Sequence, residues 1–144
     1  SSEYHIIMSL AEPNSTIHPV KEKNVTIYPW LHNRFEILKA CDVVVSRAGL
    51  GTISQAISYG KPLVLIPTPS HTEQVNNAKR TEALKLGITL DQRELNFETL
   101  HNRIKEVLTD SHQQRAVEVQ KEVSKYDAVK TMINTISQRS KKRM

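Results

Sequence analysis

The chain has 144 residues, 38% hydrophobic and 24% charged, a size at which one domain buries a core without disulfides or metal. Its single cysteine, Cys41, excludes an intramolecular disulfide and a cysteine-based zinc site, and no apolar run approaches the roughly 20 residues that span a bilayer. The formal charge of +5 is uneven: Arg139, Lys141, Lys142 and Arg143 lie in the last six positions, leaving 16 basic against 15 acidic residues elsewhere. Residues 139–144 therefore read as a basic tail, either a solvated end or a contact for an anionic membrane surface or a partner. Aromatic content of 5%, with no aromatics among the cations, argues against nucleic acid. Cysteine usage places the chain in a reducing, cytoplasmic setting. No His, Asp or Glu cluster has ligand spacing, so no metal and no other cofactor is expected.

In chain order, residues 4–10 (YHIIMSL) form a short apolar run that predicts a strand. Residues 11–23 contain two prolines and predict a polar connection. The β-branched run Val25–Tyr28 predicts a second strand, stopped by Pro29. Leu31, Phe35 and Leu38 recur at helical spacing over residues 31–40. Residues 43–46 are apolar on both faces, as in a buried parallel strand. Residues 51–59 predict a helix closed by Gly60 and Pro62, and residues 63–66 (LVLI) another buried strand. A helix over 73–86 is expected to end at Gly87, with a strand over 88–90 after it. Residues 97–108 form an amphipathic helix, and 111–136 a looser helical stretch. Strands alternating with helices give an α/β fold, a Rossmann-like, mainly parallel sheet flanked by helices. The chain opens on a strand with no phosphate-facing glycine loop before it, which reads as a partial domain lacking its first strand.

Three segments carry polar chemistry. In residues 41–55 a buried strand runs through Ser46-Arg47-Ala48-Gly49-Leu50-Gly51-Thr52 directly into a helix. Such a turn lets backbone N–H groups approach an anion, and the helix N-terminus adds about half a positive charge. Gln55, one turn in, leans back towards that end. The same glycines also fit tight packing with no ligand, and Arg47 fits either a cationic helper or the partner of a surface carboxylate. Residues 66–78 follow a strand end with a proline-stiffened loop and a polar helix start containing His71, Glu73, Gln74 and Asn77. Ser70 and Glu73 have the spacing of a capping box, which would occupy Glu73 structurally. His71 is either a surface histidine or a weak catalytic candidate. Trp30, beside Leu31 past the second strand, either stacks on a planar base or fills a gap between sheet and helix.

Taken in order, Ser46-Arg47-Ala48-Gly49, Gly60-Lys61-Pro62, Pro67 and Glu73-Gln74-x-x-Asn77-Ala78 resemble the donor-binding C-terminal half of GT-B glycosyltransferases, in particular the MurG-like (family 28) UDP-N-acetylglucosamine transferases. The resemblance covers about residues 25–90. It implies a nucleotide-sugar-binding α/β domain over 1–138, part of a longer protein or of a two-chain enzyme. The Trp30-Leu31 loop would face the base, and Ser46, Arg47, Gly49, Leu50, Gly51 and Thr52 the diphosphate. Gln55 would face the ribose, and His71, Glu73, Gln74 and Asn77 the donor sugar. In the family a glutamate usually stands where this chain has Gln55. An amide accepts a hydroxyl hydrogen bond more weakly than a carboxylate does.

The implied function is the donor-binding part of an inverting, metal-independent transferase that moves a sugar from a UDP-sugar. Its acceptor-binding half would lie in cis or on a partner subunit, and its place would be cytoplasmic or peripheral at the cytoplasmic membrane face. A UDP-sugar 2-epimerase-like domain and a non-catalytic nucleotide-sugar-binding subunit are the alternatives. Conversion of a UDP-sugar without acceptor would mark the epimerase.

Overall fold

The structure, a computed structural model, describes residues 3–141. The chain divides into two compact units, Ser1–Ile37 and Leu38–Met144.

In the first unit β1 (Ile6–Ser9), β2 (Val20–Glu22) and β3 (Val25–Tyr28) form a three-stranded sheet in the order β1-β3-β2. β1 runs parallel to β3, with Ile6 opposite Val25 and Ser9 opposite Tyr28. β2 is antiparallel to β3. The strand β2 corrects the expectation of a polar connection throughout residues 11–23. Its Val-Lys-Glu sequence is exposed throughout, so it carries no burial periodicity. A turn through Lys23, at φ 51°, folds it back on β3. The next helix, α1 (Arg34–Ala40), begins three residues later than Leu31, because Asn33 supplies the first carbonyl acceptor, to the N–H groups of Glu36 and Ile37.

The second unit alternates strand and helix: β4 (Val44–Ser46), α2 (Leu50–Ser58), β5 (Leu63–Leu65), α3 (Thr72–Ala83), β6 (Gly87–Thr89), a 3₁₀ turn (Gln92–Glu94), α4 (Phe97–Val107), α5 (Asp110–Ser124) and α6 (Ala128–Lys141). The three strands are parallel in the order β4-β5-β6. β5 is buried throughout and serves both faces of the sheet. Leu63 and Leu65 pack with Ile53 and Ala56 of α2 and Ala78 of α3, whereas Val64 packs with Ile88 and, on α4, Val107 and Ile104. The period of two along one strand thus builds a three-layer core. Among the described residues no helix is long and apolar enough to cross a membrane.

The helix ends explain two further boundaries. α2 stops as its sequence predicts: Gly60 takes φ 64°, its N–H bonds to the Ile57 carbonyl, and the Lys61 N–H bonds to Ala56. α3 closes by the same pair of bonds, Lys85 to Glu82 and Leu86 to Thr81, with Lys85 in the left-handed position. The expected stop at Gly87 is therefore corrected to Leu84, and Gly87 belongs to β6. A Cβ there would lie 2.5 Å from the Leu63 carbonyl oxygen, so this glycine is required by the approach of two strands. Residues 111–136 resolve into two helices separated at Lys125–Asp127, not one looser stretch. Of the basic tail, residues 142–144 lie outside the described residues, as do the side chains of 139–141.

Gly87→Ala is expected to destabilise the chain by about 1–3 kcal/mol, because the obstructing atom is backbone. Urea unfolding should show a lower midpoint at an unchanged slope.

Candidate functional site

Parallel sheets offer their polar loops at the carboxyl ends of the strands, and in the second unit these loops are tied together by side chains. Ser46 ends β4, and its Oγ accepts from the Ala48 N–H at 3.3 Å. Ala48 is fully buried and sits at φ 61°, a conformation that ordinarily favours glycine. The turn is thus made by Ala48, while Gly49 is extended at φ −68°, ψ 134°.

Gly49 is the N-cap of α2, and no side chain caps that end. The first turn of a helix has N–H groups with no intrahelical acceptor, and here they open onto free space. A Cβ added at Gly49 or at Gly51 meets nothing within 4 Å. Among the described residues, then, no packed atom requires the small size of either glycine, against the packing explanation. Leu50, Gly51 and Thr52 are exposed, and Gln55 is half-buried with no hydrogen bond from its side chain among the described residues.

Across from this turn, α3 begins at Thr72 with His71 as N-cap and no side-chain cap. The capping box between Ser70 and Glu73 is not formed. The His71 N–H closes a turn on the Thr68 carbonyl, which moves the helix boundary one residue past Ser70. Glu73 is exposed in the first turn of α3 and makes no hydrogen bond or ion pair among the described residues. His71 is likewise exposed.

Gln74 and Asn77 face the loops. The Thr68 N–H donates to Gln74 Oε1 at 2.9 Å, and Asn77 Nδ2 donates to the Ala48 carbonyl at 3.1 Å. The Gln74 amide is left with its two N–H donors, and the Asn77 amide with its oxygen.

Arg47 completes the connection. Its Nη2 donates to Thr68 Oγ1 at 2.5 Å and to Gln92 Oε1 at 3.0 Å, so one guanidinium joins the loops that follow β4, β5 and β6. Among the described residues it makes no ion pair, which removes the surface-carboxylate reading. The nearby carboxylate of Asp91 is taken by Arg93 at 2.7 Å, and that side-chain hydrogen bond holds the Asp91 carboxyl at about 2. Arg47 is therefore a cation whose recorded acceptors are neutral.

Thr68 and Gln92 are members of this network that sequence reasoning did not single out as site residues. Their signal is position alone: each is a polar residue just past the carboxyl end of a parallel strand. Trp30 and Leu31 belong to the first unit, where they line a cleft of about 410 Å³ together with Tyr28, Pro13, Ile17 and His32. Among the described residues no three His, Cys, Asp or Glu side chains gather to hold a metal ion.

With this geometry in view, comparison with known proteins is informative. The family model described as the glycosyltransferase family 28 C-terminal domain matches residues 5–132. The chain is 32% identical over 107 residues to the UDP-N-acetylglucosamine–N-acetylmuramyl-(pentapeptide) pyrophosphoryl-undecaprenol N-acetylglucosamine transferase of Thermosipho africanus, covering 73% of this chain and 31% of that one. It is 35% identical over 119 residues to an enzyme of the same description from Bacillus thuringiensis, covering 77% and 33%. It thus spans about a third of the length of these relatives.

Among solved structures, the glycotransferase of kitacinnamycin superposes with a TM-score of 0.80 at 20% identity, covering 93% of this chain and 34% of that one. The glycosyltransferase VinC in complex with dTDP gives 0.72 at 20%, covering 85% and 31%. These likenesses give the fold, the α/β C-terminal part of GT-B glycosyltransferases. On the family match over residues 5–132, the chain belongs to the glycosyltransferase family 28 C-terminal domain family.

Proposed function

We propose that the chain is the donor-binding part of an inverting glycosyltransferase that takes a hexosyl or N-acetylhexosaminyl group from a UDP-sugar, UDP-N-acetylglucosamine first among them. The observation that carries this reading is the open N-terminus of α2. Two glycines whose size no contact among the described residues explains lie where backbone donors and the helix dipole face open space. A diphosphate seated there would bring its oxygens to the N–H groups of residues 50–52. The positive charge of Arg47, matched by no carboxylate among the described residues, would act on the same anion.

In this arrangement Gln55 reaches the ribose. His71, Glu73 and Gln74 meet the sugar, Glu73 accepting from hydroxyls and Gln74 donating through its free N–H groups, with Asn77 bracing the turn. Transfer would be a single displacement. An acceptor hydroxyl oxygen bonds to the anomeric carbon, the bond from that carbon to the diphosphate breaks, and the electron pair leaves on the diphosphate oxygen. The helix N-terminus and Arg47 would stabilise that leaving charge with no metal. The acceptor, and the base that takes its proton, are assigned to an N-terminal half in cis or on a partner subunit. The curated relatives are named for transfer to a pyrophosphoryl-undecaprenol lipid, which favours an acceptor at a membrane surface and a cytoplasmic, peripheral location.

A second donor is favoured by one residue. Gln55 stands where the resemblance leads one to expect a glutamate, and VinC was solved with dTDP, whose deoxyribose lacks one hydroxyl.

Calorimetric titration with UDP, UDP-N-acetylglucosamine, UDP-glucose, GDP and dTDP should show selective UDP binding, tightened by one sugar. Tightest binding of dTDP would replace the UDP assignment, and absence of binding by the folded chain would remove the claim that it binds donor alone. Gly49→Leu should weaken UDP binding by about tenfold or more, through a filled anion site. Its unfolding free energy should stay within about 0.5 kcal/mol, since the site is open in the fold. Arg47→Lys keeps the charge but loses the fork. It should lower UDP-sugar affinity about tenfold while leaving that for UDP within about threefold, because the Thr68 loop that leads into Glu73 and Gln74 loses its tie.

A further inference from the structure

The segment after β6 places Asp91, Gln92, Arg93 and Glu94 in a row, and the fold sorts them by charge. Asp91 and Arg93 close on each other through three bonds. Asp91 Oδ1 accepts the Arg93 backbone N–H at 2.8 Å and Nε at 3.1 Å, and Oδ2 accepts Nη2 at 2.7 Å. The hydrogen bond and charge of Asp91, and after them the charge of Glu94, hold the Arg93 guanidinium above its ordinary range. Arg93 therefore answers both carboxylates of this segment. Gln92, the neutral residue between them, reaches Arg47, its Oε1 accepting from Nη2 at 3.0 Å.

The kind of acceptor decides what the arginine can still do. An amide oxygen orients a guanidinium and leaves its unit charge in place, whereas a carboxylate there would orient it and cancel it. Arg47 is exposed, and a long side chain in water keeps one position only if it is anchored. Thr68 and Gln92 anchor it from two loops, and both are uncharged. The carboxylate adjacent to this anchor, Asp91, is already occupied by its own arginine. What results is a fixed cation three residues before α2, the helix whose first N–H groups no side chain caps.

We infer that Gln92 is a positioning residue for the diphosphate: it fixes Arg47 through a neutral bond, while Arg93 keeps Asp91 off that guanidinium, so that the whole charge of Arg47 meets the anion. The inference rests on the donor-binding reading given above. It adds a basis for discrimination, because the attraction of an unpaired cation grows with the charge of the ligand. A nucleoside gains nothing from it, a monophosphate gains part, and a diphosphate gains most.

The test is titration of the full chain with uridine, UMP and UDP, read by ligand-observed NMR and calorimetry. Gln92→Glu sets a carboxylate in place of the amide with almost no change of volume, at an exposed position where the fold should persist. It should lower UDP affinity about fivefold and UMP affinity about twofold, and leave uridine unchanged. Gln92→Met removes the acceptor without adding charge and should lower UDP affinity only about twofold. Arg93→Gln releases Asp91 and should lower UDP affinity about threefold, and adding Asp91→Asn to that variant should restore it. Equal losses for the three ligands, equal losses in the two Gln92 variants, or no recovery with Asp91→Asn would each overturn the assignment. So would UDP binding that Gln92→Glu leaves unchanged, with the donor reading intact. Absence of UDP binding by the unaltered chain would instead remove the claim that it binds donor alone, and this inference with it.

Discussion

The second unit depends on the complete burial of one three-residue strand. Leu63, Val64 and Leu65 have no exposed surface, and each face of β5 serves a different helical layer. An antiparallel hairpin can leave one face wet, but a parallel strand joined by crossover helices is covered on both. The chain meets this demand with four consecutive apolar residues, 63–66. Flanking β5 with β4 and β6 satisfies its backbone, as in the bonds from Leu63 to the Leu86 carbonyl and from Leu90 to the Leu65 carbonyl. The constraint even reaches a neighbour's composition, since the β6 residue opposite Leu63 has to be glycine.

Parallel pairing also explains where the polar chemistry collects. All three strands of the sheet end on the same side, so the segments after Ser46, Leu65 and Thr89 emerge next to one another. Their polar backbone groups cannot all be satisfied by regular structure. The side chains of Gln74 and Asn77 supply partners for two of them, and Arg47 ties the loops together through the side chains of Thr68 and Gln92. The same rim therefore combines fixed loops with helix starts that no side chain caps.

Much of this was legible in the residues. The β-branched run at β3, the apolar run at β5 and the Gly60-Lys61-Pro62 stop after α2 each carry a local signal strong enough to place an element. β2 was not legible, because three exposed residues have no inward face to repeat. The end of α3 was misplaced because a glycine signals either a left-handed turn or a close approach. Gly87 serves the second purpose, and Lys85 takes the turn. At the rim, the segments around Ser46 and Thr72 could be picked out as polar stretches after strands. The tie between Arg47 and Gln92 could not, since 45 residues separate them and only the sheet order brings them together.

The residues of the rim divide by what they lean on. Ala48 is sealed in the core and Asn77 braces it, so a change at either disturbs the turn itself. Gly49, Gly51, Gln55 and Glu73 contribute no side-chain bond to the fold among the described residues. Selection can therefore alter these four without first compensating for lost stability, since substitutions away from packed or bonded positions usually shift it little. A scaffold divided in this way is evolvable: its rim can be rewritten residue by residue while the sheet beneath it stays the same.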